Sequence, residues 1–259
     1  MDFCGFLLFR MTNQSLPALT QVKALSNACR NVKVSEAQCL WMIKRVFHDQ
    51  VPVPEVFGWR VDEKGYVFIY MELIRGQTLT DRWDDLDHLD KLALSDQLCD
   101  IVKALRLLEQ DPSDQYIGSI SRQPLLDYVL KSQQPAGPFT SLKAFNDWFA
   151  SLPQSQLPVE LRYECPHRCF LPDTGMIKMT HADLHRANIM ISSTKPARVL
   201  AIVDWEQAGW YPDYWEYCKA LYTCKYESEW RQDWVDKFLD PRMDEFLAFI
   251  EYTMAIGAV

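Results

Sequence analysis

Basic residues are outnumbered in this chain of 259 residues. Lys and Arg total 27 against 35 Asp and Glu, which gives a formal net charge of -8 at pH 7. Binding to nucleic acids or to anionic membranes depends on a positively charged surface. We therefore expect neither nucleic acid nor a membrane among the partners. The hydrophobic fraction of 48%, with 13% aromatic residues, is typical of a folded globular protein.

Long hydrophobic runs are also absent. The apolar run at residues 3–9 is stopped by Arg10 and has neither a basic leading segment nor a small-residue cleavage site, so it does not resemble a signal peptide. It is far shorter than the roughly 20 residues that a membrane-spanning helix needs. We expect a soluble, cytoplasmic protein.

The eight cysteines form no CxxC pair. Cys165-Pro-His-Arg-Cys169 is the one tight cluster, and it could bind zinc together with His167. No second pair of ligands follows at the spacing of a zinc finger, so reduced thiols are the favoured interpretation.

The first 80 residues show a strand, a helix and two further strands. Residues 34–47 place apolar side chains at helical spacing, and Ser35 can cap the start of that helix. Residues 66–71 are aromatic and β-branched, which is typical of a strand buried in a sheet. Gly76 marks the end of this region.

Helical patterns dominate the rest of the chain. Residues 84–109 carry a near-continuous apolar stripe, which predicts a long helix with a break near Ser95. A shorter helix is predicted at residues 141–152, and helical spacing returns after Tyr211. A small sheet region followed by a mostly helical region predicts an α+β architecture with two lobes.

Coordinating side chains are concentrated in the segment MTHADLHRANIMI, residues 179–191. A predicted hairpin follows and ends in Asp204, so Asp183, Asn188 and Asp204 can surround one point. Carboxylate and amide oxygens are ligands that Mg²⁺ accepts, with substrate phosphates completing its coordination.

Three interpretations compete for this segment. Asp183, His185 and Asn188 could merely satisfy a turn, and His181 could be a hydrogen-bonded core histidine. His181, Asp183 and His185 could instead hold the metal of a hydrolase, since imidazole suits zinc and iron. The third interpretation is H-x-D-x-x-x-x-N followed by an Asp at the end of a strand, the arrangement used for phosphoryl transfer in protein kinases. Its order and spacing make it the strongest of the three.

The sequence resembles the aminoglycoside phosphotransferase and choline kinase-like group, especially its fungal members. The resemblance covers residues 34–217 and rests on five motifs in the order of the family: VPVPEVFGW (51–59), YMELIRGQTL (70–79), GPFTSLKAFNDWF (137–149), THADLHRANIMI (180–191) and AIVDWEQAGWYPDYWEY (201–217). It implies a protein kinase-like fold with ATP between two lobes. It points to the family and not to one substrate.

The resemblance implies roles for the motif residues. Asp183 would be the catalytic carboxylate that orients the acceptor hydroxyl and takes its proton, and His181 would brace the loop. Asn188 and Asp204 would hold Mg²⁺ on the phosphates of ATP. Trp205 and Glu206 stand where protein kinases carry Phe and Gly, as is typical of the small-molecule group.

The nucleotide-binding residues implied by the resemblance lie near the N-terminus. Met71, Glu72 and Leu73 would form the hinge that contacts adenine through backbone groups. Glu36 would pair with a lysine, with Lys23 favoured and Lys33 its rival, although both could be ordinary surface lysines.

The N-terminal lobe departs from the family pattern. The 22 residues before Lys23 contain one Gly and no GxGxxG, too little for a phosphate-covering hairpin. We expect a β-rich, truncated N-terminal lobe at residues 1–75 and a mostly helical C-terminal lobe at residues 76–259.

The acceptor is less well defined. Acidic residues are frequent after Asp204, and they could attract a cationic amine or amino sugar. A solvated helix face accounts for the same residues and is the favoured interpretation. They are Glu206, Asp213, Glu216, Glu227, Glu229, Asp233, Asp236, Asp240, Asp244 and Glu245.

The sequence therefore predicts an ATP- and Mg²⁺-dependent O-phosphotransferase that acts on a hydroxyl group of a small molecule. The alternative from another class is a catalytically degenerate pseudokinase that binds a ligand or partner, because the N-terminal lobe is short.

Overall fold

The computed structural model describes residues 23–24, as backbone only, and residues 32–258. In chain order the regular elements are β1 Lys23–Ala24, α1 Val34–Phe47, β2 Val56–Val61, β3 Val67–Met71, β4 Gln77–Thr78, α2 Leu79–Arg82, α3 His88–Arg106, β5 Gly118–Ser119, α4 Leu142–Ser151, β6 Ile177–Thr180, β7 Ile189–Ile191, β8 Val199–Ile202, β9 Gly209–Pro212, α5 Trp215–Tyr222, α6 Val235–Phe238 and α7 Met243–Ala255. A π-helix, Trp230–Trp234, precedes α6.

The first sheet has the antiparallel strand order β1-β3-β2. The β-branched and aromatic residues of β3 make it the central strand, and α1 packs against the sheet through its buried face. The predicted order of strand, helix, strand and strand is confirmed.

The start of α1 differs from the prediction. The N-cap residue is Lys33, which makes no side-chain capping bond. Ser35 already lies inside the helix, where its hydroxyl is buried without a hydrogen-bond partner. A serine can cap a helix only from the extended position before the first turn, so the predicted cap was wrong.

The predicted helix at residues 84–109 is interrupted early and not near Ser95. After α2 a short 3₁₀ turn leads to Asp87, whose side chain accepts a hydrogen bond from the Asp90 N–H and so caps α3. Ser95 is buried within α3. The strong cap thus decides where the long helix begins. The predicted helix at residues 141–152 is confirmed as α4, which Ser141 caps through the Ala144 N–H.

The described chain after β3 contains two further antiparallel sheets, with the strand orders β4-β7-β8 and β5-β9-β6. The predicted hairpin is confirmed as the pair β7 and β8. Helices α4, α5 and α7 contribute to a core that is rich in rings. Its most deeply buried aromatic side chains are Trp205, Trp215, Trp234, Tyr211, Tyr214, Tyr252, Phe145, Phe149 and Phe249. Among the residues described, no helix combines the length and the hydropathy that crossing a bilayer requires.

Candidate active site

The predicted catalytic motif lies on a loop that joins two sheets. β6 ends at Thr180 and β7 begins at Ile189, so residues 181–188 cross from the sheet β5-β9-β6 to the sheet β4-β7-β8. Within this loop Ala182 has a φ of 64°, and Asp204 after β8 has a φ of 66°. Left-handed backbone is costly for residues with a β-carbon and is concentrated at functional sites.

His181 is a buried structural residue of this loop. Its Nδ1 accepts the Asp183 N–H at 3.1 Å, and its Nε2 lies 3.0 Å from the Val203 carbonyl. The acceptor role of Nδ1 places the proton on Nε2, which donates to that carbonyl. Burial lowers the pKa of His181 to about 4. The ring, packed 4.5 Å from the indole of Trp205, is therefore neutral and holds the loop in shape.

Glu216 anchors the same loop from α5. Its carboxylate accepts the N–H of His181 at 2.6 Å and the N–H of Ala182 at 3.1 Å. Burial raises the pKa of Glu216. The sequence pattern predicts that Glu216 is one of the solvated acidic residues after Asp204, and this prediction is wrong, because Glu216 is buried. The available signal was a carboxylate within residues 215–221, a stretch of α5 that is buried throughout.

Asp183 is mostly buried and tied to its neighbours. Asn188 donates its amide to the Asp183 carbonyl at 2.9 Å and to Asp183 Oδ2 at 3.2 Å, and His185 Nε2 lies 3.5 Å from the same Oδ2. Burial opposes ionisation, but the hydrogen bond from His185 and the charges of His185 and Lys219 outweigh it, so the pKa of Asp183 is lowered. Asp183 is an oriented, ionised carboxylate.

Asp204 is brought to Asp183 by the hairpin. The Val203 N–H donates to the Asn188 carbonyl at 2.9 Å, which sets the end of β8 beside the end of the loop. Burial raises the pKa of Asp204, and the negative charge of Asp183 raises it further. The structure thus brings Asp183, Asn188 and Asp204 together as two carboxylates and one amide.

Glu36 faces the same group of carboxylates. It lies in the first turn of α1. Burial, followed by the charges of Asp204 and Glu206, raises its pKa to about 8. The positive charge of Lys33 acts on Glu206 instead of Glu36, and it partly offsets the effect of burial on the pKa of Glu206. The backbone of Lys23 pairs with Met71, but the Lys23 side chain, the expected partner of Glu36, lies outside the described residues.

The predicted hinge begins with Met71, the last residue of β3. The Glu72 N–H donates to the Glu55 carbonyl at 2.8 Å, and the Glu55 N–H donates to the Glu72 carboxylate at 3.2 Å. The Glu72 N–H is therefore already used within the protein.

A buried network, which sequence reasoning missed, fixes the chain after Asp204. Lys219 donates to Asp127 at 2.6 Å and to Gln207 Oε1 at 3.2 Å, and the same Gln207 oxygen accepts the Tyr128 N–H at 2.9 Å. The side chains of Lys219 and Asp127 are 2% and 0% exposed, so each needs the other to be tolerated. A lysine inside the apolar pattern of α5 was the signal available.

Transition-metal sites receive no support from the geometry. Within residues 32–258 no three His, Cys, Asp or Glu side chains are grouped so that they could hold a metal ion. Both ring nitrogens of His181 are already bonded within the protein. The arrangement differs from a hydrolase site and suits a Mg²⁺ ion that takes one or two protein ligands and relies on phosphates for the others.

Comparisons with known proteins identify the family. A sequence profile described as the phosphotransferase enzyme family matches residues 42–253, while no curated protein matches the sequence. Many solved structures are similar, and three of them illustrate the likeness. The GDP complex of aminoglycoside 2'-phosphotransferase-IIIa has 17% identity and a TM-score of 0.54, with 85% of this chain and 72% of that chain covered. The GDP and kanamycin complex of APH(2")-IIia has 16% identity and a TM-score of 0.55 over the same shares.

The third structure is a thermostable mutant of aminoglycoside phosphotransferase APH(4)-Ia, with 17% identity and a TM-score of 0.51 over 90% of this chain and 75% of that chain. At these identities the likeness concerns the fold, and it confirms the α+β, protein kinase-like class predicted from the sequence. Because the profile spans most of the sequence, the chain belongs to the phosphotransferase enzyme family.

Proposed function

We propose that this protein is an ATP- and Mg²⁺-dependent O-phosphotransferase that acts on a hydroxyl group of a small molecule. The observation that carries the proposal is the convergence of Asp183, Asn188 and Asp204 at the end of one hairpin. Phosphoryl transfer needs an oriented acceptor and neutralised phosphate charge more than it needs covalent chemistry. A carboxylate for the acceptor beside two oxygen ligands for a cation meets both needs.

Asp183 is proposed as the catalytic carboxylate. Its lowered pKa keeps it ionised at neutral pH, so it can accept a hydrogen bond from the acceptor hydroxyl and take the proton as the bond to phosphorus forms. The hydrogen bond that it accepts from Asn188 and its close contact with His185 leave it little rotational freedom, and such orientation contributes to the rate. His181 is proposed to act through Asp183, because it is neutral and bonded to the Asp183 N–H.

Asn188 and Asp204 are proposed to hold Mg²⁺. Asn188 turns its amide nitrogen towards Asp183, which leaves its amide oxygen for another partner. The raised pKa of Asp204 reflects burial beside a second carboxylate, a situation that a bound cation relieves. Mg²⁺ bound with ATP would supply positive charge to the phosphate oxygens during transfer.

The nucleotide is proposed to lie between a lobe of residues 1–75 and a lobe of residues 76–259. The backbone of Met71, Glu72 and Leu73 would contact adenine, and Lys23 with Glu36 would serve the phosphates. The GDP complexes among the similar structures support the binding of a nucleotide.

We propose a small hydroxylated acceptor that can carry a cationic group. The complex of APH(2")-IIia with kanamycin supports an acceptor of this size. The half-buried Glu206, whose pKa is raised by burial, lies near the carboxylates of the site and would favour positive charge.

The second candidate function is that of a pseudokinase that binds a ligand or partner without turnover. One observation favours it: the charged groups that raise the pKa of Glu36 are the carboxylates of Asp204 and Glu206, and Lys33, one of the two candidate lysines, acts on Glu206 instead. Carboxylates that face the phosphates without a neutralising cation would repel them and weaken nucleotide binding.

Thermal unfolding with ATP, with and without Mg²⁺, tests the proposal. Ligand at 100 times its dissociation constant adds about 2.7 kcal/mol, or about 5–10 °C for a chain of this size. We expect the shift for the wild type only with ATP and Mg²⁺ together, and its loss in Asp204→Ala. Asp49→Ala is the control, because Asp49 is 97% exposed. An unshifted wild type, or an Asp204→Ala variant that shifts like it, would contradict the metal site.

A further inference from the structure

Arg186 lies on the catalytic loop in the short turn Arg186–Asn188, three residues after Asp183. Its guanidinium carbon lies 5.1 Å from the centroid of the Trp83 ring. Within residues 32–258 its guanidinium has no hydrogen bond or ion pair to another side chain or to the backbone. The stacking on Trp83 is thus the direct contact that fixes the position of this side chain.

Trp83 is a rigid partner for this contact. It is 5% exposed, and its Nε1 donates to Glu229 at 3.1 Å. The ring of Trp230 meets it edge-on at 5.2 Å, and the ring of Trp234 does so at 5.8 Å. We call Trp83, Trp230 and Trp234 the tryptophan cluster. Buried rings in such edge-to-face contacts have little freedom to move.

Glu229 holds the cluster together. Its second oxygen accepts the Trp234 Nε1–H at 3.0 Å, and Lys91 donates to the carboxylate at 2.9 Å. The Lys91 ammonium also lies 4.4 Å from the Trp83 ring centroid. Trp230 and Trp234 are the first and last residues of the π-helix, an element that is frequent at functional sites.

The contact adds a side-chain attachment near the end of the loop. Glu216 holds the backbone at His181 and Ala182, where the loop begins. The turn at residues 186–188, where the loop ends, packs against α2, the helix that immediately precedes Trp83. Asp183 lies between these two attachments.

We infer that Arg186 is a positioning residue, which holds Asp183 and Asn188 in place by stacking on Trp83 of the tryptophan cluster. A cation–π contact of this kind is equivalent to about a three- to thirtyfold change in an equilibrium constant. Removing the guanidinium should raise the equilibrium constant for opening of the loop by a factor of this size. The same contact between Lys237 and Trp234, at 5.6 Å, lies away from the loop and offers a matched control.

Hydrogen exchange tests the attachment directly, without any substrate. The His185 N–H donates to the Asp183 carbonyl, the Ala187 N–H to His185 Nδ1 and the Asn188 N–H to the His185 carbonyl, so these amides report on the loop. In Arg186→Ala we expect these three amides to exchange about three- to thirtyfold faster and those of α3 to be unchanged. In Lys237→Ala the loop amides should exchange as in the wild type. Unchanged loop amides in Arg186→Ala, or equal acceleration along the whole chain, would overturn the inference.

The catalytic consequence rests on the proposed function and has its own readout. With ATP, Mg²⁺ and water as acceptor, Arg186→Ala should lower kcat about three- to thirtyfold and leave KM for ATP within about twofold. Arg186→Lys, which keeps a cation on the ring, should recover part of the loss, and Lys237→Ala should match the wild type. A raised KM with unchanged kcat would show that Arg186 binds nucleotide and would overturn positioning. A wild type that does not hydrolyse ATP would count against the proposed function, whereas the exchange result would still decide the role of Arg186 in the loop.

Discussion

Replacement of Lys219 by methionine should be among the most destabilising single changes in this protein. Lys219 donates to Asp127 at 2.6 Å, and both side chains are excluded from solvent. Methionine fills a similar volume but supplies neither charge nor donor. Asp127 would keep its bonds from the Trp215 indole and the Val129 N–H but would lose its counter-ion.

The expected magnitude follows from the burial of the pair. Removing one partner of a buried ion pair typically costs about 3–5 kcal/mol, because the other charge stays buried without compensation. Native proteins have about 5–15 kcal/mol of stability in total, so this loss is large. The exposed pair of Lys143 and Asp147 is screened by water and contributes less than about 1 kcal/mol.

Urea unfolding of the wild type, Lys219→Met and Lys143→Met measures the difference. We expect the midpoint of Lys219→Met to fall by an amount equivalent to about 3–5 kcal/mol, with the slope unchanged. Lys143→Met should stay within about 1 kcal/mol of the wild type. The double variant Lys219→Met, Asp127→Asn should regain part of the loss, since it buries no unpaired charge. The reasoning is refuted if the two lysine variants have the same stability.

Two further predictions concern the catalytic loop. Asp183→Asn should lower the rate of phosphoryl transfer about 10²- to 10⁴-fold while the dissociation constant of Mg-ATP stays the same, measured by enzyme assay and calorimetry; equal rates in variant and wild type would exclude Asp183 as the base. His181 has a folded-state pKa of about 4, below the ordinary value of 6.5, so the unfolded chain binds the proton more readily. Neutral His181 contributes about 3 kcal/mol to the free energy of unfolding above pH 6.5, and this contribution is lost as the pH falls towards 4. In urea titrations at several pH values, the free energy of unfolding of His181→Gln should therefore depend less on pH over that window. Parallel profiles would contradict this.

The parts of the site that could be predicted from the sequence are those encoded locally. The spacing of His181, Asp183 and Asn188 lies within one loop, and Asp204 follows from a hairpin that joins neighbouring strands. Glu216 could not be predicted in its role, because its partners His181 and Ala182 lie more than 30 residues earlier and only the packing of α5 brings them together.

The same limit applies to the fold. Periodicity predicted α1, α3, α4, β3 and the hairpin of β7 and β8, but not the choice between competing caps. Asp87 caps α3 and Ser141 caps α4, whereas Ser35 falls inside α1. The partner of Asp127, 92 residues away on α5, depends on tertiary packing that no local pattern records.

Helix α5 contacts both halves of the site, namely the loop that carries Asp183 and the segment that follows Asp204. Glu216 holds the backbone before Asp183, and Lys219, one turn later, holds Gln207 after Asp204. A helical turn advances about 5.4 Å and is stiff. If α5 tilts, the carboxylates of Asp183 and Asp204 therefore move together with it, and the distance between them stays nearly constant. Under the proposed function, the distance between the acceptor and metal positions would then stay the same from one catalytic cycle to the next.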